Sequence, residues 1–222
     1  EIVQNENGAG HIPLYLLTSD YTETHHDLEG LTRTNDSIPR EFTIEGNGHK
    51  FAGGNYLGIT VGSGDTLNLN NISEISGWDD HVGNNINGTV NFSTTETNEM
   101  KLNSKVMGTG TYNNNAILVV GNAENLAMNS ITNNKTLKVA GGNLTTDITN
   151  NVGSVIIGGG VTISSDVIII GGNVTLGSGV EFTAGNLSGI RTLNADGAVY
   201  KIINTLDFSS ATPEVPADDI IK

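Results

Sequence analysis

One short run in this chain gathers residue types that do chemistry: Trp78, Asp79, Asp80 and His81. Two carboxylates beside an imidazole suit calcium binding or acid–base work on a sugar, and an indole stacks on a sugar ring. The three polar residues are consecutive, so their side chains diverge, and no Arg-x-Lys pair accompanies them. The run reads as a ligand-contacting loop tip and not as a catalytic set. His25-His26-Asp27 invites a metal reading. Adjacent histidines on a strand face opposite sides, however, and zinc needs three or four converging ligands, so a solvated turn is expected there. Gly62-Ser63-Gly64 is followed by neither the helix nor the Lys of a phosphate loop. Asn71, Asn87, Asn143 and Asn173 head Asn-x-Ser/Thr triplets, which the abundance of Asn and Thr explains. No catalytic residue, metal site or cofactor is expected.

The elements that must carry these residues repeat. Apolar-x-apolar pairs fall at Leu118/Val120, Leu137/Val139, Val155/Ile157, Val174/Leu176 and Leu193/Ala195, a near-constant step. A second column reads Leu126/Met128, Leu144/Thr146, Val161/Ile163, Val180/Phe182, and a third Ile131, Ile148, Val167/Ile169, Leu187. Alternation of period two marks strands, and a fixed period of about nineteen marks stacked coils. Strand starts fall at 155, 161, 167, 174, 180 and 187. Steps this short leave room for a short strand and a Gly-, Ser-, Asn- or Asp-rich turn, but not for a helix. Three strands per coil make a triangular tube, each strand pairing in parallel with its equivalent one coil on. A two-sheet sandwich, the alternative, prefers strands spaced roughly 8–12 residues apart. The fold expected is all-β, a parallel β-helix of about nineteen residues per coil with an N-terminal cap.

Residues 1–40 lack the repeat and are assigned to that cap, because an open coil end exposes core and unpaired edges. Leu14 to Leu17 is a strand candidate inside it. The β-helix is placed at 41–208, its first coil running from Phe42/Ile44 to Ile59/Val61. The register slips between Ile72 and Val90, where the Trp78 loop is read as an insertion. Asn ladders are anticipated where Asn143, Gly160 and Gly179 align. Residues 209–222, with Pro213 and Pro216, read as a linker and tail that continue into a further segment.

Composition bounds the function. Formal net charge is −14, from 24 acidic and 10 basic residues. Such a balance disfavours nucleic acid and anionic membrane surfaces as partners. No apolar run reaches the length of a membrane span, so no direct membrane insertion by this segment is expected. Cysteine is absent, so the fold does not depend on disulfides.

Phe42-Thr43-Ile44-Glu45-Gly46-Asn47-Gly48-His49, followed by the run from Gly58-Ile59-Thr60-Val61 to Leu69-Asn70-Asn71, resembles the opening coils of bacterial autotransporter passenger domains and related pectin-lyase-like adhesins. The Gly-, Asn- and Thr-rich coils over residues 40 to 195 are similar to that class. The resemblance implies a right-handed β-helix, secreted or displayed at the bacterial cell surface in association with the outer membrane, often ahead of a membrane barrel. A cysteine-free chain suits passage through a pore unfolded. The function expected is that of a non-enzymatic adhesin or passenger stalk, with a host or cell-surface glycan or protein as partner and Trp78, Asp79, Asp80 and His81 in contact with it. The rival is a carbohydrate-active β-helix enzyme, a lyase or hydrolase of acidic polysaccharide. Ten scattered basic residues argue against the basic groove a lyase needs. A trimeric phage-type receptor-binding spike is a third reading.

Overall fold

The computed structural model describes residues 2–6, 13–22, 41–53, 60–77, 85–95, 97–183, 187–188, 193–195 and 206–207. The chain is a β-solenoid. Among the described residues its long sheet has eleven strands, from Ile2–Glu6 at one end to Leu206–Asp207 at the other. Ile2–Glu6 runs antiparallel to Pro13–Leu17, and every later pairing in that sheet is parallel. A nine-stranded parallel sheet from Tyr21–Thr22 to Leu193–Ala195 forms the second side. The third side is divided into a four-stranded sheet ending at Leu126–Met128 and a three-stranded one beginning at Asn143–Leu144. At the division a single 3-10 turn, Ala123–Asn125, takes a strand's place. The buried Thr146 hydroxyl lies 2.5 Å from Leu126 O and 2.9 Å from Met128 O, so its single O–H donates to one or the other carbonyl there.

The anchor column stacks as its spacing requires. Met100, Leu118, Leu137, Val155, Val174 and Leu193 are partners in successive pairings. The first five are fully buried. The column Ile131, Ile148, Val167, Leu187 is likewise continuous.

Two registers differ from expectation. Phe42 and Ile44 pair with Leu67 and Leu69, and not with Ile59 and Val61. Val61 lies on the third side, opposite Ile86. Apolar alternation marks a strand but does not say which side of the triangle it occupies. On the third side Leu144 pairs with Ile163 and Ile163 with Phe182. Val161 and Val180 are buried in the turns just before those strands, so the apolar pattern starts one pair early.

The coil length therefore changes along the stack. On the long sheet the chain separation is 25 from Thr43 to Asn68, 23 from Asn68 to Asn91 and 22 from Asn91 to Asn113. It then falls to 19 from Asn114 to Asn133 and 17 from Asn133 to Asn150. From Asp147 to Asp166, in the next coil, it is 19. Core composition follows. Among the described side chains, the buried aromatics Tyr15, Tyr21, Phe42, Phe51, Phe92 and Tyr112 all belong to the wide end. Beyond Tyr112 the described buried hydrophobic side chains are aliphatic apart from Met128.

The corner after the long sheet shortens too, and its chemistry changes with it. In the wide coils the corner runs from the inward residue Ile44 to Lys50, from Leu69 to Glu74 and from Phe92 to Glu99. In the narrow coils it runs only from Asn114 to Ile117, from Asn133 to Thr136 and from Asn150 to Ser154. These three amides are fully buried. Asn114 Nδ2 donates to Asn133 Oδ1 and Asn133 Nδ2 to Asn150 Oδ1, both at 2.6 Å. Each also donates to a corner carbonyl one coil on: Thr136 O at 2.9 Å, Ser154 O at 3.2 Å and Gly171 O at 2.7 Å. A buried Asn at each tight corner is thus bonded both along its ladder and to a corner carbonyl. The corners also need glycine. At Gly172, with φ +77°, a Cβ would clash with Gly153 O. The expected ladder at Asn143 is replaced by Thr162 and Glu181 as partners. The residue repeats there as a strand position, but its amide does not.

Candidate functional site on the outer face of the long sheet

Trp78, Asp79, Asp80 and His81 lie outside the described residues, as do His25, His26 and Asp27. Among the described residues no three His, Asp or Glu side chains converge in a way that would hold a metal ion. Gly62-Ser63-Gly64-Asp65 is a turn closed by Asp65 N donating to Gly62 O at 2.9 Å, leading into a strand.

What the fold does assemble is a flat polar array. Strands Thr66–Asn70, Thr89–Ser93, Thr111–Asn115, Ser130–Asn133 and Asp147–Asn150 lie side by side in the long sheet. Their inward residues are core, and their outward residues line up rung by rung. One outward column reads Thr66, Thr89, Thr111, then Ser130 and Asp147. The middle column is Asn68, Asn91, Asn113, continued by Thr132 and Thr149. Every outward position on these five strands carries a hydroxyl or an amide, with Asp147 the sole exception.

The amides are bonded to one another along the stack. Asn91 Nδ2 donates to Asn68 Oδ1 at 2.8 Å, and Asn113 Nδ2 to Asn91 Oδ1 at 2.9 Å. Asn68 Nδ2 closes the run on Glu41 Oε1 at 2.7 Å. At the corner a second exposed ladder joins Asn151 to Asn134 and Asn134 to Asn115, at 3.1 and 3.0 Å. Lys135, which follows Asn134 of that corner ladder, is engaged: its Nζ reaches back across one coil to Thr94 O and Thr95 O, at 3.0 and 3.1 Å. Beyond Asp147–Asn150 the middle column turns apolar. Ile168 aligns with Thr149 and is 41 % exposed; Ile170 is 56 % and Val152 55 % exposed.

The second sheet has the opposite character. Lys50 and Lys101 flank Glu74 in register, and Lys50 Nζ is 3.1 Å from Glu74 Oε2. Lys138 Nζ donates to Glu99 Oε1 at 2.6 Å, again skipping a coil. The hydrogen bond from Lys50, then that from Asn103, holds the Glu74 carboxyl below its ordinary value, and the Lys138 hydrogen bond does the same for Glu99. Lys50 is raised by its hydrogen bond to Glu74.

The array on the long sheet presents hydrogen-bond donors and acceptors. A hydroxyl becomes a nucleophile only beside a base, and Asp147 is the only titratable outward side chain on those five strands. Reading the sequence by its nineteen-residue period passes over this face. A signal is present at another period: Thr66-x-Asn68-x-Asn70, Thr89-x-Asn91-x-Ser93 and Thr111-x-Asn113-x-Asn115 recur at the longer separations of the wide coils. No family model, no curated protein and no solved structure matches the chain.

Proposed function

We propose that this solenoid is a non-enzymatic adhesin or passenger stalk, secreted or displayed at a bacterial cell surface, and similar in role to autotransporter passengers and pectin-lyase-like adhesins. The observation that supports this reading best is the long outward array of hydroxyls and bonded amides on one rigid sheet. Such an array offers many weak, repeated contacts without a reacting group. A strongly acidic chain stays soluble and resists non-specific association. The run Trp78, Asp79, Asp80 and His81 adds an aromatic contact for a glycan or protein partner.

Incubating the purified chain with pectin, alginate and related polymers tests it, with glycan and protein arrays in parallel. Binding without chain cleavage is the expected outcome, and Trp78→Ala weakens it while leaving the melting temperature unchanged. Polymer cleavage that disappears in Asp80→Asn overturns the adhesin reading in favour of a polysaccharide lyase or hydrolase.

A further inference from the structure

We propose that the outer face of the long sheet is a binding site for an uncharged polysaccharide lying along the solenoid axis. This rests on reading the chain as a binding solenoid and names the face and the ligand class. Charge selects the class. In a protein of net charge −14, the outward positions of five consecutive strands carry one carboxylate and no cation. An anionic polymer would call for Lys or Arg there, and Lys135 is instead engaged with Thr94 O and Thr95 O. A cationic ligand would find more carboxylates almost anywhere else. Donors and acceptors without charge suit hydroxyls without charge.

The array is also fixed in advance. Asn91 uses one N–H on Asn68 and one lone pair on Asn113. A second N–H and a second lone pair remain on Asn91, while Asn68 spends its N–H groups on Glu41 Oε1 and Thr43 Oγ1 and keeps a lone pair. The ladder locks the rotamer, so little side-chain freedom is lost on binding. Rungs recur every ~4.8 Å, presenting similar groups each time, which suits a polymer of repeating units better than a compact ligand. The end of the face supplies the remaining half of sugar recognition. Ile168 and Ile170 extend the polar columns as exposed apolar surface. A pyranose chain has hydroxyl edges and C–H faces, and this surface has a partner for each.

Affinity electrophoresis of the whole chain through native gels containing dextran, mannan or hydroxyethyl cellulose tests the proposal, with alginate as the anionic control. Retardation by at least one neutral polymer and none by alginate is expected. Neutral contacts are not screened, so raising the salt about tenfold leaves the retardation in place. Thr89→Lys/Thr111→Lys places bulk and charge on the face and should weaken it by about tenfold or more, a change of roughly 1.4 kcal/mol. Ile170→Asp, at an exposed position outside the ladders, should weaken it with an unchanged melting temperature, which separates binding from folding. Retardation by none of the neutral polymers overturns the proposal. Retardation that survives both face variants and is lost in Trp78→Ala overturns it too, yet leaves the adhesin reading standing. Cleavage of the gel polymer overturns the adhesin reading itself.

Discussion

Asn113 and Asn114 are neighbours on one strand and belong to two ladders that face opposite ways. Asn113 ends an outer ladder, with Asn91 and Asn68. Asn114 begins the inner one, with Asn133 and Asn150. The bond is the same, Nδ2 to Oδ1 one coil away. The surroundings differ, and that decides what the bond does. Outside, water competes for every donor and acceptor, so a ladder bond orders side chains more than it stabilises the fold. Inside, each amide is itself fully buried and also donates to a corner carbonyl. Losing it leaves buried groups unpaired, which costs more than the bond contributes. One residue type thus serves as surface chemistry on one side of the sheet and as structural chemistry on the other.

Breaking the inside should be expensive. Ile157 is fully buried between Val139 and Leu176 of adjacent coils. Ile157→Asp places a carboxylate there without a partner, and a loss of several kcal/mol is expected in a denaturant midpoint. Asn133→Ala comes next. It removes the acceptor of Asn114 and the donors of Asn150 Oδ1 and Ser154 O, for a loss of about 2–4 kcal/mol. The outer counterpart, Asn91→Ala, should cost no more than ~0.5–1 kcal/mol, as should Thr162→Asp on another outward position. If Asn91→Ala proves as damaging as Asn133→Ala, burial is not what separates the two ladders.

The smallest effect lies on the charged sheet. Glu74 and Glu99 have carboxyls held below their ordinary values by Lys50 and Lys138. Their folded-state pKa is depressed, so their contribution is present above the unfolded carboxylate value of about 4.3 and is lost as pH falls through the lowered values. Exposed pairs contribute little. Thermal melts from neutral to acid pH should therefore show only a slight difference between the wild type and Glu99→Gln, confined to pH above the depressed range. The outer amide ladders should show no such dependence, since amides do not titrate.

The apolar half of this architecture is legible in sequence because burial enforces alternation, and alternation repeats. Leu118, Leu137, Val155 and Val174 are read correctly for that reason. The wide coils are harder. Their extra residues sit in turns and corners, so the spacing from Phe42 to Leu67 hides behind the nearer pair Ile59/Val61. The strand Thr111–Asn115 is the least legible. Thr-Tyr-Asn-Asn-Asn reads as a turn by propensity, and only the neighbouring strands, Thr89–Ser93 and Ser130–Asn133, make it extended. The inner ladder follows from corner length, which no single stretch of sequence displays. The run at Trp78 stands out in the sequence because the period breaks there. The polar face does not, because its residues carry no rare chemistry and its repeat is not nineteen.

Two lysines have a mechanical consequence. Backbone pairing ties each described strand only to the coils on either side, so a solenoid pulled from one end should peel coil by coil, each step releasing roughly 60 Å of chain. Lys135 and Lys138, however, grip Thr94, Thr95 and Glu99 two coils back. Under load these ties link three coils at mid-stack, each adding only a little resistance because the pairs are largely exposed. The force trace of the chain would then show small, regular steps with a slight extra resistance where those coils part, in a rod that unravels from its end.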